Sequence, residues 1–221
     1  MSKNIYLSWS GGKDSSLALH EIRKAGIYNV AGLITTITED YDRISMHGVR
    51  RALLESQADA LSLPLEKILI TKGADNAEYE NKMRALLEKY FARGVQSVVF
   101  GDIFLEDLRK YREDNLAQVG MRGIFPIWKR DSVKLARAFV ALGFEAITTC
   151  VDSQVLNRRF VGRFFDESFL SDLPAGIDPC GENGEFHSFA FDGPIFKHPI
   201  AHTLGEVVRR DRYVFCDLVP N

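Results

Sequence analysis

Ser10-Gly11-Gly12-Lys13-Asp14-Ser15 is the segment that most constrains what this chain can fold into. It follows a short apolar run, Ile5-Tyr6-Leu7-Ser8-Trp9, and opens a helical pattern from Leu17-Ala18-Leu19 to Ile22. The order is strand, glycine-rich turn, helix. Such a turn sets several backbone N–H groups at the positive end of a helix dipole, where a phosphate or pyrophosphate can sit. Gly11 and Gly12 permit the φ values and the close backbone approach that an anion needs. Lys13 adds a mobile positive charge, and Ser10, Ser15 and Ser16 add hydroxyl donors. Ser15 and Asp14 are also of the type that caps a helix. The pattern is neither a Walker A loop, which separates its glycines by four residues, nor the Gly-x-Gly-x-x-Gly turn of dinucleotide folds.

Strand and helix patterns alternate through the first part of the chain. Strands are expected over 4–9, 30–36, 65–70 and 95–100, and helices over 14–25, 49–62 and 76–93. The last of these carries Tyr79, Met83, Leu86, Leu87 and Tyr90 on one face. The alternation implies an α/β fold with a parallel sheet and helices on both faces. Ligands of such sheets lie at the carboxyl ends of the strands, so the loops after Trp9, Thr36, Ile70 and Phe100 are the candidate site. Helical spacing over 103–112 gives way at Arg122-Gly123-Ile124-Phe125-Pro126-Ile127-Trp128. That break divides the chain into a first domain, 1–130, and a smaller α+β domain, 131–221. The second domain reads as helix 131–142, strand 145–151 and helix 161–172, the last with Phe164, Phe165, Phe169 and Leu170 on its apolar side. A loop over 174–185, a strand over 186–191 and the turn Asp192-Gly193-Pro194 follow, with a β-like stretch at Tyr213-Val214-Phe215.

The net charge of −2 over 221 residues gives no general electrostatic footprint for nucleic acid, which is not expected as a partner. Arg158-Arg159 with Arg163, and Arg209-Arg210 with Arg212, are local basic patches that read as solvated faces. Cys150, Cys180 and Cys216 form no C-x-x-C pair, which argues against a structural zinc site, an iron–sulfur ligand set or a disulfide framework. No run approaches 18 apolar residues and the start lacks a long apolar core, so a cytoplasmic protein without a membrane partner is expected.

Chemistry also concentrates at Asp178-Pro179-Cys180-Gly181-Glu182-Asn183-Gly184-Glu185-Phe186-His187. Glycines flank acidic residues in an irregular loop, an arrangement that a buried core has little use for. Glu182 and Glu185 suit three tasks: holding a metal–nucleotide complex, binding an amine, or acting as a general base. His47, in the loop after the second strand, reads as a site residue. His187 reads equally as a substrate contact or a solvent-facing strand residue. His20 reads as structural, Trp9 and Trp128 as packing residues, and Pro199 breaks any helical pairing of His198 with His202.

The first loop resembles the pyrophosphate loop of the N-type ATP pyrophosphatases. Together with Ser45-Met46-His47-Gly48, Gly101-Asp102-Ile103, Arg109, Arg112, Pro126-Ile127-Trp128, Gly181-Glu182-Asn183-Gly184-Glu185 and Asp192-Gly193-Pro194, it resembles the diphthine–ammonia ligase family over nearly the whole chain. The family block usually reads Glu-Gly-Gly-Glu-Tyr-Glu; Asn183, Phe186 and His187 depart from it, as in a bacterial-type branch. The resemblance implies a Rossmann-like domain of the adenine nucleotide alpha hydrolase (HUP) type that binds ATP, and a C-terminal domain that closes the cleft. It implies nucleotide contacts from Ser10, Gly11, Gly12, Lys13, Asp14, Ser15 and Ser16, and from Thr35, Met46, His47, Gly101 and Asp102. Arg109, Arg112, Asn183, Gly184 and His187 would contact the substrate. Lys13, Asp14, Glu182 and Glu185 would be catalytic, with Asp14 partnering Mg²⁺.

The implied reaction adenylates a carboxylate, on a small molecule or a protein side chain, and displaces AMP with ammonia. A homodimer is compatible with this reading. Two other trades of the fold stand beside it. RNA sulfur transfer would draw on Cys150 and Cys180, and a non-catalytic ATP or AMP sensor would bind without turnover.

Overall fold

The computed structural model describes residues 3–44, 47–73 and 76–221. Met46, expected at the nucleotide, and Ser45 lie outside the described residues.

β1 (Lys3–Ser8) is the middle of the first sheet, and both of its faces are covered. Ile5 and Leu7 enter one apolar cluster with Leu17 and Leu19 of α1 (Lys13–Ala25) and Leu53 and Leu54 of α2 (Arg51–Leu61). Tyr6 enters the opposite cluster, stacked at 4.1 Å on Tyr90 of α3 (Asn76–Phe91), with Leu116 of α4 (Glu106–Ala117). A strand buried on both faces reads as an unbroken apolar run, and this one does. β2 (Tyr28–Thr38) and then β4 (Leu65–Ile70) lie on one side of β1; β5 (Ser97–Val99) and β6 (Arg122–Ile124) lie on the other, all parallel. Past the end of β1, the two-residue β3 (Arg43–Ile44) pairs antiparallel with β2.

The second sheet is antiparallel, in the order β8 (Phe186–Asp192), β7 (Glu145–Asp152), β10 (Tyr213–Pro220), β9 (His202–Arg210). α5 (Ser132–Ala141) and α6 (Glu167–Asp172) belong to this half. Its aromatic residues Phe139, Phe165, Phe169, Phe186 and Phe189 are buried in the same cluster as Ile5 and Leu7. One core therefore runs from the first sheet into the second. The architecture is the expected Rossmann-like α/β domain with a smaller α+β domain.

The helix expected over 161–172 is helical only from Glu167. Phe164 is 56% exposed while Phe165 is 2% exposed, the alternation of extended backbone, and Phe164 bridges to Ile147. Asp166 sets the start of α6 by accepting from the Phe169 N–H at 2.7 Å. β3, β6 and β9 are additions to the sequence reading.

Two polar devices join the halves. Gln57 of α2 is fully buried; its Nε2 donates to Gly11 O at 2.9 Å and Ala190 O at 2.6 Å, and its Oε1 accepts from Trp9 Nε1 at 2.8 Å. One amide thus ties the glycine turn to β8. Removing it leaves three buried groups without that partner, at about 1–3 kcal/mol each where nothing replaces it. Gln57→Leu should lower Tm by about 5 °C or more. A melting curve that overlays the parent's would mean that these groups re-pair locally.

The second device is a clamp on Asp217, which takes Arg43 Nη1 at 2.7 Å and Arg50 Nη2 at 2.5 Å. Burial pushes its carboxyl up, but the two guanidiniums outweigh burial and hold it down to about 2. In the unfolded chain the same group titrates near about 3.9. The clamp therefore stabilises the fold fully above about pH 4 and fades as pH falls toward the folded value. Asp217→Asn should weaken the protein at neutral pH and flatten the acid limb of its Tm–pH curve. An acid limb as steep as the parent's would assign that loss of stability to other carboxylates.

Candidate active site

In the first sheet the chain runs outward from β1 to β2 and β4, then returns to the other side of β1 for β5 and β6. The carboxyl ends of β1 and β5 therefore frame the point where winding reverses, and a crevice opens there. The glycine turn follows β1 and Gly101 follows β5. A Cβ on Gly101 would lie 2.8 Å from the Asp14 carbonyl, so only glycine lets the two loops meet. The loop before β8 closes the opposite wall. The cleft between them holds about 390 Å³.

Ser10, Gly12, Lys13, Asp14 and Ser15 line this cleft. Gly11 and Ser16 do not. Gly11 has φ of +75°, and a Cβ there would lie 2.6 Å from Leu54 Cδ2. Ser15 and Ser16 turn their hydroxyls back to donate to Gly12 O, each at 2.9 Å. Neither Ser15 nor Asp14 caps α1; the cap residue is Gly12, without a side-chain bond.

Lys13 is not the mobile charge expected of it. It is 2% exposed, its Nζ sits 2.8 Å from Asp14 Oδ2, and it donates to Cys180 O. The Phe186 ring lies 5.2 Å from the same nitrogen. Burial pulls its pKa down, but Asp14, the Cys180 thiol and Glu182 outweigh burial and hold it above the ordinary lysine value. The turn after β1 and the loop before β8 are thus joined through one ammonium.

Carboxylates gather around it. Asp14 is pushed up by burial and by Asp178 and Asp102, against Lys13. Asp102 pairs with Arg112 at 2.6 Å, and burial outweighs that guanidinium to raise its carboxyl as well. Glu182 Oε1 accepts from the Ile103 N–H at 2.8 Å. Burial, with Asp14 and Asp102, pushes Glu182 up to about 7 despite that bond. Asp14, Asp102 and Glu182, with Arg112, line the cleft.

Thr35 and His47 line the far end. The His47 ring stacks on His187 at 4.3 Å, and both rings face the cleft. Burial holds His47 well below the imidazole range and takes His187 down to about 4, so both are neutral at pH 7. Asp14 Oδ1, Thr35 Oγ1 and His47 Nδ1 are buried without a hydrogen-bond partner. Unsatisfied polar atoms are rare in folded chains, and three along one cleft mark a surface built for a ligand.

The remaining expected residues sit elsewhere. Glu185 is buried and accepts from Asp178 N, Asn183 N and Asn183 Nδ2 at 3.0–3.1 Å, shaping the loop that presents Glu182. Asn183 and Gly184 belong to that loop's outer turn and do not line the cleft. Arg109 lies over the adjoining rings of Phe125 and Trp128 and is paired with Glu113 at 2.8 Å. Tyr79 and Met83 of α3, Leu108 of α4 and Ser188 of β8 line the cleft without having been expected there. The only signal for the first two was a helix face that reads as ordinary core. Ser188 Oγ accepts from the Lys13 N–H at 3.2 Å.

All three cysteines are buried, and burial pushes each thiol up, Cys150 to about 12. Among the described residues no three His, Cys, Asp or Glu side chains converge as a closed metal site, and no helix is long and apolar enough to cross a membrane.

Residues 2–123 match the diphthamide synthase N-terminal domain and residues 131–216 its C-terminal domain. Proteins named diphthine–ammonia ligase are similar over most of the chain. The one from Schizosaccharomyces pombe is 26% identical over 95% of this chain, which spans 38% of that longer protein. The one from Danio rerio is 26% identical over 90% of this chain and 86% of its own length. The human protein is 25% identical over 90% of this chain and 82% of its own. With both halves matched in order and the two loops facing one cleft, the chain belongs to the diphthamide synthase family.

Proposed function

We propose that this chain is an ATP-dependent ligase that adenylates a carboxylate and displaces AMP with ammonia, forming an amide. The observation that carries the reading is that Lys13, bonded to Cys180 O, ties the glycine turn to the loop that presents Glu182 to the same cleft. The relatives' name, diphthine–ammonia ligase, supports the same reaction class. Residues 1–130 hold the nucleotide and residues 131–221 supply the opposite wall.

The N-terminus of α1, with Ser10 and Gly12, cradles the phosphates. Lys13 stabilises the charge that builds on the departing pyrophosphate. Thr35 Oγ1 and His47 Nδ1 bring free hydrogen-bonding capacity to the nucleoside side. Arg112 orients the acid, whose oxygen attacks the α-phosphorus as the bond to pyrophosphate breaks. Glu182 then draws ammonium in and accepts one of its protons. The freed nitrogen attacks the acyl carbon, the C–O bond breaks, and AMP leaves with that oxygen. Glu185 acts through loop shape, as a positioning residue.

Carboxylates beside a polyphosphate repel it unless a cation lies between. The unpartnered Asp14 Oδ1 fits that need, so Asp14 would hold Mg²⁺. The ion would supply neutralisation of phosphate charge. Sulfur transfer is less suited: it needs an accessible, easily ionised thiol, and these thiols are buried and hard to ionise.

The test supplies ATP, ammonium and diphthine, the acid in the relatives' name, then a panel of other carboxylates. AMP and pyrophosphate that appear only with an acid support the ligase. ADP and phosphate contradict it, and ATP binding without acid-dependent turnover across the panel leaves the sensor.

A further inference from the structure

A second cavity, about 260 Å³, lies between the end of β2 with β3 and the β9–β10 ribbon. Its walls carry three aromatic rings and two arginines, with Asp217 the one carboxylate among them. Tyr213 and Phe215 of β10 line one wall with ring centroids 6.3 Å apart and tilted by 50°. Tyr41 lines the other and is 41% exposed. The Arg210 guanidinium and the Lys72 ammonium each lie 5.3 Å from the centre of the Tyr41 ring. Arg43 also lines the cavity.

The charges do not cancel. Asp217 is shared between Arg43 and Arg50, so that cluster keeps one surplus positive charge. Among the described residues neither Arg210 nor Lys72 forms an ion pair. Asp40 lies near Lys72, accepting from its backbone N–H at 2.5 Å, and offsets one of these two charges, so one surplus positive charge remains there as well. Arg210 lines the cavity and Lys72 stands outside it, so an anion in the cavity meets Arg210 and Arg43 directly and Lys72 only through space. Arginine forks suit phosphate, and flat rings suit a planar heterocycle. The volume falls just below the usual range of drug-sized ligand sites, which suits one ring system and one phosphate but not a triphosphate.

The cavity also shares a wall with the active-site cleft. Ile44 lines both. Phe215 presses on Gly48, where a Cβ would lie 2.8 Å from its ring, and Gly48 follows His47 of the cleft.

We propose that this cavity is a second ligand site for a planar ring carrying one phosphate, the nucleoside monophosphate class, set back to back with the ATP cleft. The site stands apart from the proposed reaction, although AMP, a product of that reaction, is of the right class. A ligand there bears on Ile44 and Gly48 from behind, and any effect on ATP affinity is matched by an equal effect of ATP on the ligand.

The experiment saturates the cleft of the full chain with α,β-methylene-ATP and titrates labelled AMP and GMP by equilibrium dialysis. Adenosine, inorganic phosphate and a single-stranded oligoribonucleotide are titrated alongside. One further equivalent of monophosphate is expected to bind. Arg210→Glu and Tyr41→Ala, both at exposed side chains, should each weaken it about tenfold or more, with affinity for the ATP analogue unchanged. No second equivalent up to about 1 mM overturns the proposal, as does binding that ignores both substitutions. Adenosine or phosphate alone binding as tightly as the monophosphate overturns the ligand class. An oligoribonucleotide binding far more tightly than the monophosphate overturns it in favour of nucleic acid.

Discussion

Lys13→Ala is expected to lower turnover by about 10²–10³-fold at saturating ATP, the usual effect of removing one preorganised charge from a developing anion. The geometry sharpens this beyond a missing charge. Lys13 Nζ is enclosed by Asp14, Cys180 O and the Phe186 ring, so no water or neighbouring cation replaces it at low cost. Its loss leaves Asp14 beside Asp102 and Glu182 without its balancing charge. Glu182, which Lys13 holds down, should then protonate at still higher pH. The variant should therefore show both a lower plateau rate and an acid limb displaced to higher pH. Steady-state rates over a pH series, with folding checked by melting, read both effects. Wild-type turnover in a folded Lys13→Ala protein would place the phosphates elsewhere.

Glu182→Gln should spare ATP binding and depress amide formation by about 10²–10⁴-fold, the range for a general base. The parent's rate should fall on the acid side of about pH 7, because burial with Asp14 and Asp102 holds the Glu182 carboxyl up to about 7. The sign follows from the chemistry: the carboxylate, present above that pH, is the form that attracts ammonium and takes its proton. Nucleotide affinity and amide formation are measured side by side for the variant. A protein that loses ATP affinity yet forms amide normally at saturating ATP would move Glu182 to the phosphate side of the cleft.

The parts of the site legible in the sequence are those whose residue types make little sense in a core. Two adjacent glycines before a helix, and a loop of glycines and acids, announce backbone and charge chemistry by composition. The side chains that sequence reading missed are those whose types suit a core. Tyr79 and Met83 lie on the apolar face of α3, and periodicity does not tell which turn of that face overhangs a cleft. Gln57 looks like a solvated residue on α2, yet it is the buried clip on Gly11. Glu185 stands three residues from Glu182 with the same chemistry, and only the loop's own N–H groups decide that one carboxylate shapes the loop and the other faces the cleft. In the fold, β1 and β2 were readable because both faces of each are covered. β9 alternates weakly at a sheet edge, and β6 has three residues held by pairing with β5, so long-range register rather than local pattern creates them.

The most direct test of the ligase account is oxygen transfer. The acid that supports turnover is labelled with ¹⁸O in its carboxylate and incubated with ATP and ammonium, and the AMP, phosphate and pyrophosphate are examined by mass spectrometry. Attack of the carboxylate on the α-phosphorus predicts one ¹⁸O in AMP and none in pyrophosphate or phosphate. Label in inorganic phosphate, with AMP unlabelled, would mean an acyl phosphate and would contradict the account.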